Sequence, residues 1–108
     1  MAEYGGMDLS SKTISKSPDV TYKEVDGKSV LLDLESGSYF TLNEMGSFIW
    51  SLLDGNVDHA RVVRAVTDRY DIDAETAEND VRGLILHLNS EGLIRLQDGS
   101  GYPQISEK

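Results

Sequence analysis

A chain of 108 residues with 39% hydrophobic composition holds enough apolar material for one modest core, so a single domain is expected. Nineteen acidic against ten basic residues give a formal charge of −9, whose field repels phosphates and anionic lipid heads and disfavours nucleic acid and membrane surfaces as partners. With no cysteine there is no disulfide framework, thiolate metal site or cysteine nucleophile, and a reducing, cytoplasmic location is expected.

Residues 1–18 are rich in Ser, Lys and Gly and lack both apolar periodicity and the apolar centre of a secretory signal. They predict a mobile tail, and QDGSGYPQISEK, residues 97–108, predicts another, leaving 19–96 as the folded unit. The stretch VTYKEVDGKSVLLDLESGSYFTL predicts three short strands with hairpin turns at Asp26-Gly27 and Ser36-Gly37. Val30, Leu32 and Leu34 share one face, as do Phe40 and Leu42 on the next strand, so one side of this sheet is expected on a core.

Asn43 then caps a first helix in which Met45, Phe48, Ile49, Leu52 and Leu53 recur at helical spacing, with Trp50 beside the stripe and Gly55 as its stop. A second helix over 57–70 buries Val62, Val63, Val66 and Tyr70. The third runs from an Asp73 cap through residue 90, with Ala77, Val81, Leu84, Ile85 and Leu88 inward and Gly92 at its end. GLIRLQ adds a last extended segment, no apolar run approaches the roughly 20 residues of a membrane span, and no repeat is present. The class is α+β: a three-stranded antiparallel sheet packed on a three-helix, winged-helix-like bundle.

The short turn between the second and third helices raises a competing reading, a winged-helix DNA-binding transcriptional regulator. A reading helix must sit among phosphates, however, and the third helix sets Asp73, Glu75, Glu78 and Asp80 against Arg82 alone. Acids at that end also suit the helix dipole, so they have a structural reason as well. Catalytic chemistry has no foothold. His59 and His87 lack a second metal ligand at helical spacing and read as solvated or partly buried surface residues, so no metal and no cofactor are expected. The acid pairs Asp71 with Asp73 and Glu78 with Asp80 stand two residues apart and face different ways on a helix. No serine lies in a G-x-S-x-G elbow, and the glycine-rich pieces lack the lysine of a phosphate loop. A binding role is expected, not an enzyme. If 38–42 is an edge strand, its free N–H and C=O groups accept a partner chain as an added strand.

The residues LLDLESGSYFTLNEMGSFIWSLLDG, continued by VVRAVTDRYDIDAETAENDVRGLILHLNSEGLI, resemble the PqqD-like family, leader-peptide recognition domains of ribosomally made, post-translationally modified peptide pathways. The likeness runs from about residue 18 to 96 and rests on S-G-x-Y-F-x-L-N, I-W-x-L-L-D-G, a Y-D-[apolar]-D junction and a closing I-x-x-L-x-x-x-G-L-[apolar]. It implies that a precursor's leader peptide docks antiparallel on Ser38, Tyr39, Phe40, Thr41 and Leu42, in a cleft walled by the third helix. Asp80, Val81, Leu84 and His87 are the helix residues that the resemblance and the helical spacing nominate. It also implies a partner maturation enzyme, either a leader-removing protease, as in lasso-peptide pathways, or a radical SAM enzyme, as in pyrroloquinoline quinone pathways.

Overall fold

A computed structural model describes Leu9 and residues 12–98. In chain order the elements are β1 (Lys12–Lys16), β2 (Val20–Val25), β3 (Lys28–Asp33), β4 (Tyr39–Leu42), α1 (Glu44–Ser51), β5 (Val57–Asp58), α2 (His59–Arg69), α3 (Ala74–Ser90) and β6 (Ile94–Asp98). They form two antiparallel three-stranded sheets, β2-β3-β4 and β5-β1-β6, with three helices: an α+β fold with one sheet more than expected.

The first sheet is a meander built by its turns. Asp26 and Gly27 both take positive φ, 56° and 80°, the pair of left-handed residues that a two-residue hairpin needs to match strand twist. Between β3 and β4 the turn is held by Asp33, whose Oδ1 accepts from the Glu35 N–H at 3.0 Å and whose Oδ2 accepts from Ser36 Oγ at 3.0 Å. Asn43 follows β4 directly, and its Oδ1 accepts from the Gly46 N–H at 2.8 Å, so the chain passes from strand to capped helix in one residue. Asp73 caps α3 in the same way through the Thr76 N–H, at 2.8 Å.

The core joins Leu31 and Leu42 of the first sheet to Ile49, Trp50 and Leu53 at α1, Val62 and Val66 of α2, and Ala77, Val81, Ile85 and Leu88 of α3. Ile14, Leu93 and Ile94 close it from the second sheet.

Four expectations are corrected. The inward residue of β3 is Leu31, not its neighbours: Val30 and Leu34 are 42% and 63% exposed. The run Val30-Leu31-Leu32 is apolar in both parities, and the choice falls on the one that turns Ser29 inward, where Ser47 Oγ donates to Ser29 Oγ at 2.7 Å. Trp50 is fully in the core instead of beside it, with the Tyr22 ring edge-on at 5.6 Å.

The third correction concerns the first tail. Lys12–Lys16 is a strand whose Ile14 is fully buried, opposite Val57 and Leu96, and Lys16 Nζ pairs with Asp54 at 2.8 Å. The remainder of both expected tails, 1–8, 10–11 and 99–108, lies outside the described residues. Fourth, residues 57 and 58 pair with β1 before α2 begins, and His59 is buried at the start of that helix instead of solvated.

Candidate functional site

β4 pairs with β3 alone, which leaves its other edge open among the described residues. The register sets Leu32 opposite Tyr39, Leu31 opposite Phe40, Val30 opposite Thr41 and Ser29 opposite Leu42. One step before these, the Asp33 N–H donates to the Ser38 carbonyl at 2.9 Å. Opposed pairs in an antiparallel ladder alternate between bonded and unbonded, so Phe40 and Leu42 turn their main-chain groups to β3, while Tyr39 and Thr41 turn theirs outward. Ser38 belongs to the turn: its N–H donates to Ser36 Oγ at 3.1 Å, and its carbonyl serves Asp33.

Side chains follow the pleat. Tyr39 and Thr41 stand exposed on the outer face, whereas Phe40 is half-buried and Leu42 buried on the helix side. There the edge borders a groove of about 420 Å³, walled by Thr41 and Leu42, by Met45, Gly46 and Ile49 of α1 with its cap Asn43, and by Asp80 and Leu84 of α3. Gly46 lets α1 start tight against the strand: a Cβ there would lie 3.2 Å from Leu42 Cβ and 3.3 Å from Asn43 Oδ1. Further along α3, His87 meets the Phe40 ring edge-on, centroids 6.2 Å apart.

The residues nominated from sequence therefore separate by role. Thr41, Leu42, Asp80 and Leu84 share the groove, and Phe40 and His87 form the contact between β4 and α3. Tyr39 lies over the opposite face, and Ser38 lies in the turn. Val81 is fully buried and backs the helix from the core, so it offers no surface to a ligand. Sequence reasoning missed Asn43, Met45, Gly46 and Ile49. Their signal was the cap placed immediately after the strand, which obliges the first turn of α1 to stand at the strand's end.

A larger hollow, about 830 Å³, lies elsewhere, walled among others by Asp54, Asp58, Asp68, Arg61 and Arg64. It is a mixed-charge surface, and the strand at its border, β5, is only two residues long. Among the described residues no group of three or more His, Asp or Glu is gathered for a metal, and no helix is long and apolar enough to cross a membrane.

Fold and site together define a class: a small α+β domain that leaves one strand edge open beside a groove walled by two helices. Residues 28–94 match the family described as Coenzyme PQQ synthesis protein D (PqqD), and the chain belongs to that family, as its sequence motifs lead one to expect. Solved structures agree. TbiB1 in complex with the TbiA(beta) leader peptide is 34% identical, with a TM-score of 0.71 over 82% of this chain and 96% of that one. A lasso peptide synthetase B1 complexed with the leader peptide is 28% identical, with a TM-score of 0.68 over 76% and 96%. The PqqD truncation of Methylobacterium extorquens PqqCD, a stand-alone recognition element for ribosomally synthesised and post-translationally modified peptides, shares the fold at 20% identity, with a TM-score of 0.68 over 87% and 99%. No curated protein matches the chain by sequence.

Proposed function

We propose that this chain is a non-catalytic recognition protein that takes the leader of a precursor peptide as a fourth strand on β4 and presents it to a maturation enzyme. The observation that carries the reading is the parity of β4: Tyr39 and Thr41 hold outward main-chain groups beside a groove of suitable size. A leader strand paired with them sends alternate side chains toward Leu42, Ile49 and Leu84, where Asp80 offers an acid at the rim. Two proteins of the same fold, 34% and 28% identical, are described in complex with leader peptides, which supports the same ligand class here. Those identities, against 20% for the PqqD truncation, favour a lasso-type pathway and with it a leader-removing protease as the partner. A DNA-binding role finds no support, since α3 carries Glu75, Glu78 and Asp80 on accessible positions.

The test is hydrogen exchange with and without a leader peptide, the TbiA(beta) leader of the 34% identical TbiB1 being the first probe. Peptide should slow exchange at the amides of Tyr39 and Thr41, which pair with no strand among the described residues, and leave those of Phe40 and Leu42, already bonded to β3, nearly unchanged. Peptide binding without added protection at Tyr39 and Thr41 would rule out strand addition.

A further inference from the structure

Among the described residues that wall the groove beside β4, Asp80 is the only ionisable one; the others are apolar or neutral. Asp80 is exposed and forms no ion pair among the described residues. Its neighbours three and four positions away on α3 are Thr76, Ala77, Gly83 and Leu84, so its own helix supplies no cation. An acid without a counter-charge at the rim of an apolar groove matches a lysine or arginine, whose aliphatic stem covers the apolar wall while its charged head stays at the rim.

Direction places that residue along the peptide. Asp80 and Leu84 border the groove with Thr41 and Leu42, while His87 lies against Phe40. α3 therefore passes β4 in the opposite sense, with Asp80 near the Leu42 end. A strand added antiparallel, as every pair in this sheet is, runs the same way as α3. It enters beside Leu42 and Asp80 and leaves past Tyr39. Its residues bonded opposite Thr41 and Tyr39 face outward; the residue between them turns to the groove opposite Phe40, and the one before them opposite Leu42.

We infer that the bound peptide carries a lysine or arginine two residues before an apolar one, the basic side chain lying over Leu42 with its charge at Asp80 and the apolar side chain entering between Phe40 and Leu84. The inference rests on strand addition at β4 and adds to it a sequence signature, basic-x-apolar, with its direction fixed. Asp80 then discriminates in two ways. A peptide with a carboxylate at the first position meets a like charge, in a chain whose net charge of −9 repels it further. A peptide slipped by two residues keeps its parity but carries its cation away from Asp80 to the apolar end of the groove, so the acid also selects the register.

The experiment selects a displayed library of random peptides on wild type, Asp80→Asn and Asp80→Lys, each checked by thermal unfolding. Wild type should enrich lysine or arginine two positions before an apolar residue. Asp80→Lys should enrich aspartate or glutamate at that same position and keep the apolar residue. The best wild-type peptide, synthesised and titrated, should bind Asp80→Asn about threefold more weakly, the loss of one exposed ion pair, and Asp80→Lys about tenfold more weakly. Changing its basic residue to glutamate should restore binding to Asp80→Lys. The same enrichment on all three proteins overturns the inference, as does selection of apolar residues alone. A basic residue that follows the apolar one overturns the assigned direction and the signature with it. Failure of strand addition looks different: the selected peptides then bind wild type yet leave exchange at the amides of Tyr39 and Thr41 as in the free protein. A library that enriches no sequence counts against peptide recognition itself, and the inference falls with it.

Discussion

The Asp33 N–H and the Ser38 carbonyl, 2.9 Å apart, decide which residues of β4 face outward. A bonded pair at that position makes Leu32 and Tyr39 an unbonded pair, and the alternation runs on to Thr41. The Asp33 side chain fixes the same turn by accepting from Glu35 N and Ser36 Oγ, and the Gly37 N–H returns to the Asp33 carbonyl at 2.8 Å. Turn chemistry thus sets the parity of an edge several residues away, because a slip of one residue would exchange inner and outer groups along the whole strand.

The first prediction sets two prolines side by side. Thr41→Pro removes an outward N–H, which an edge strand tolerates, so the fold should survive while peptide affinity falls at least tenfold, about 1.4 kcal/mol. Phe40→Pro removes the N–H that β3 uses and should lower the midpoint of thermal unfolding. A folded Thr41→Pro protein with wild-type affinity would contradict the assigned parity.

The meander and the helices were legible because local signals agree there: turn glycines, caps after Leu42 and Ile72, and apolar residues at strand or helical period. β1 was not legible. Its KTISK has a single apolar residue, and what makes it a strand is the distant company of Val57 and Leu96, to which no local pattern points. The site was legible in its strand and only partly in its helix. At about 100° per residue, Leu84 lies roughly 60° around α3 from Val81. One apolar stripe therefore includes both, although Val81 is wholly buried and Leu84 borders the groove.

Burial of Ile14 gives the second prediction. Ile14→Ala should cost about 2–5 kcal/mol in denaturant unfolding, the usual loss for truncating a buried isoleucine. A tail residue would give no change.

Acid unfolding supplies the third. The Asp73 carboxyl sits below the ordinary aspartate value, held there by the hydrogen bond of the Thr76 side chain and next by the Thr76 backbone N–H. Its folded value is depressed, so its contribution is complete above the ordinary value near pH 4 and is lost as pH falls through the folded value. Asp73→Asn keeps a capping oxygen without the titration. The stability difference between wild type and Asp73→Asn, followed by thermal unfolding across pH 2–7, should therefore change only on the acid side of about pH 4.

The fourth prediction separates core from groove on α3. Val81 is fully buried, so Val81→Ala should cost about 2 kcal/mol of stability, the transfer loss plus a small cavity, and leave the peptide affinity of the folded protein near wild type. Leu84 is half-buried with one side on the groove, so Leu84→Ala should rank the other way: a smaller loss in unfolding and a larger loss in binding. Denaturant unfolding and peptide titration on both variants give two ratios to compare. Equal losses of affinity would mean that the peptide senses α3 only through the rigidity of the core, and the groove between β4 and α3 would cease to account for side-chain selectivity.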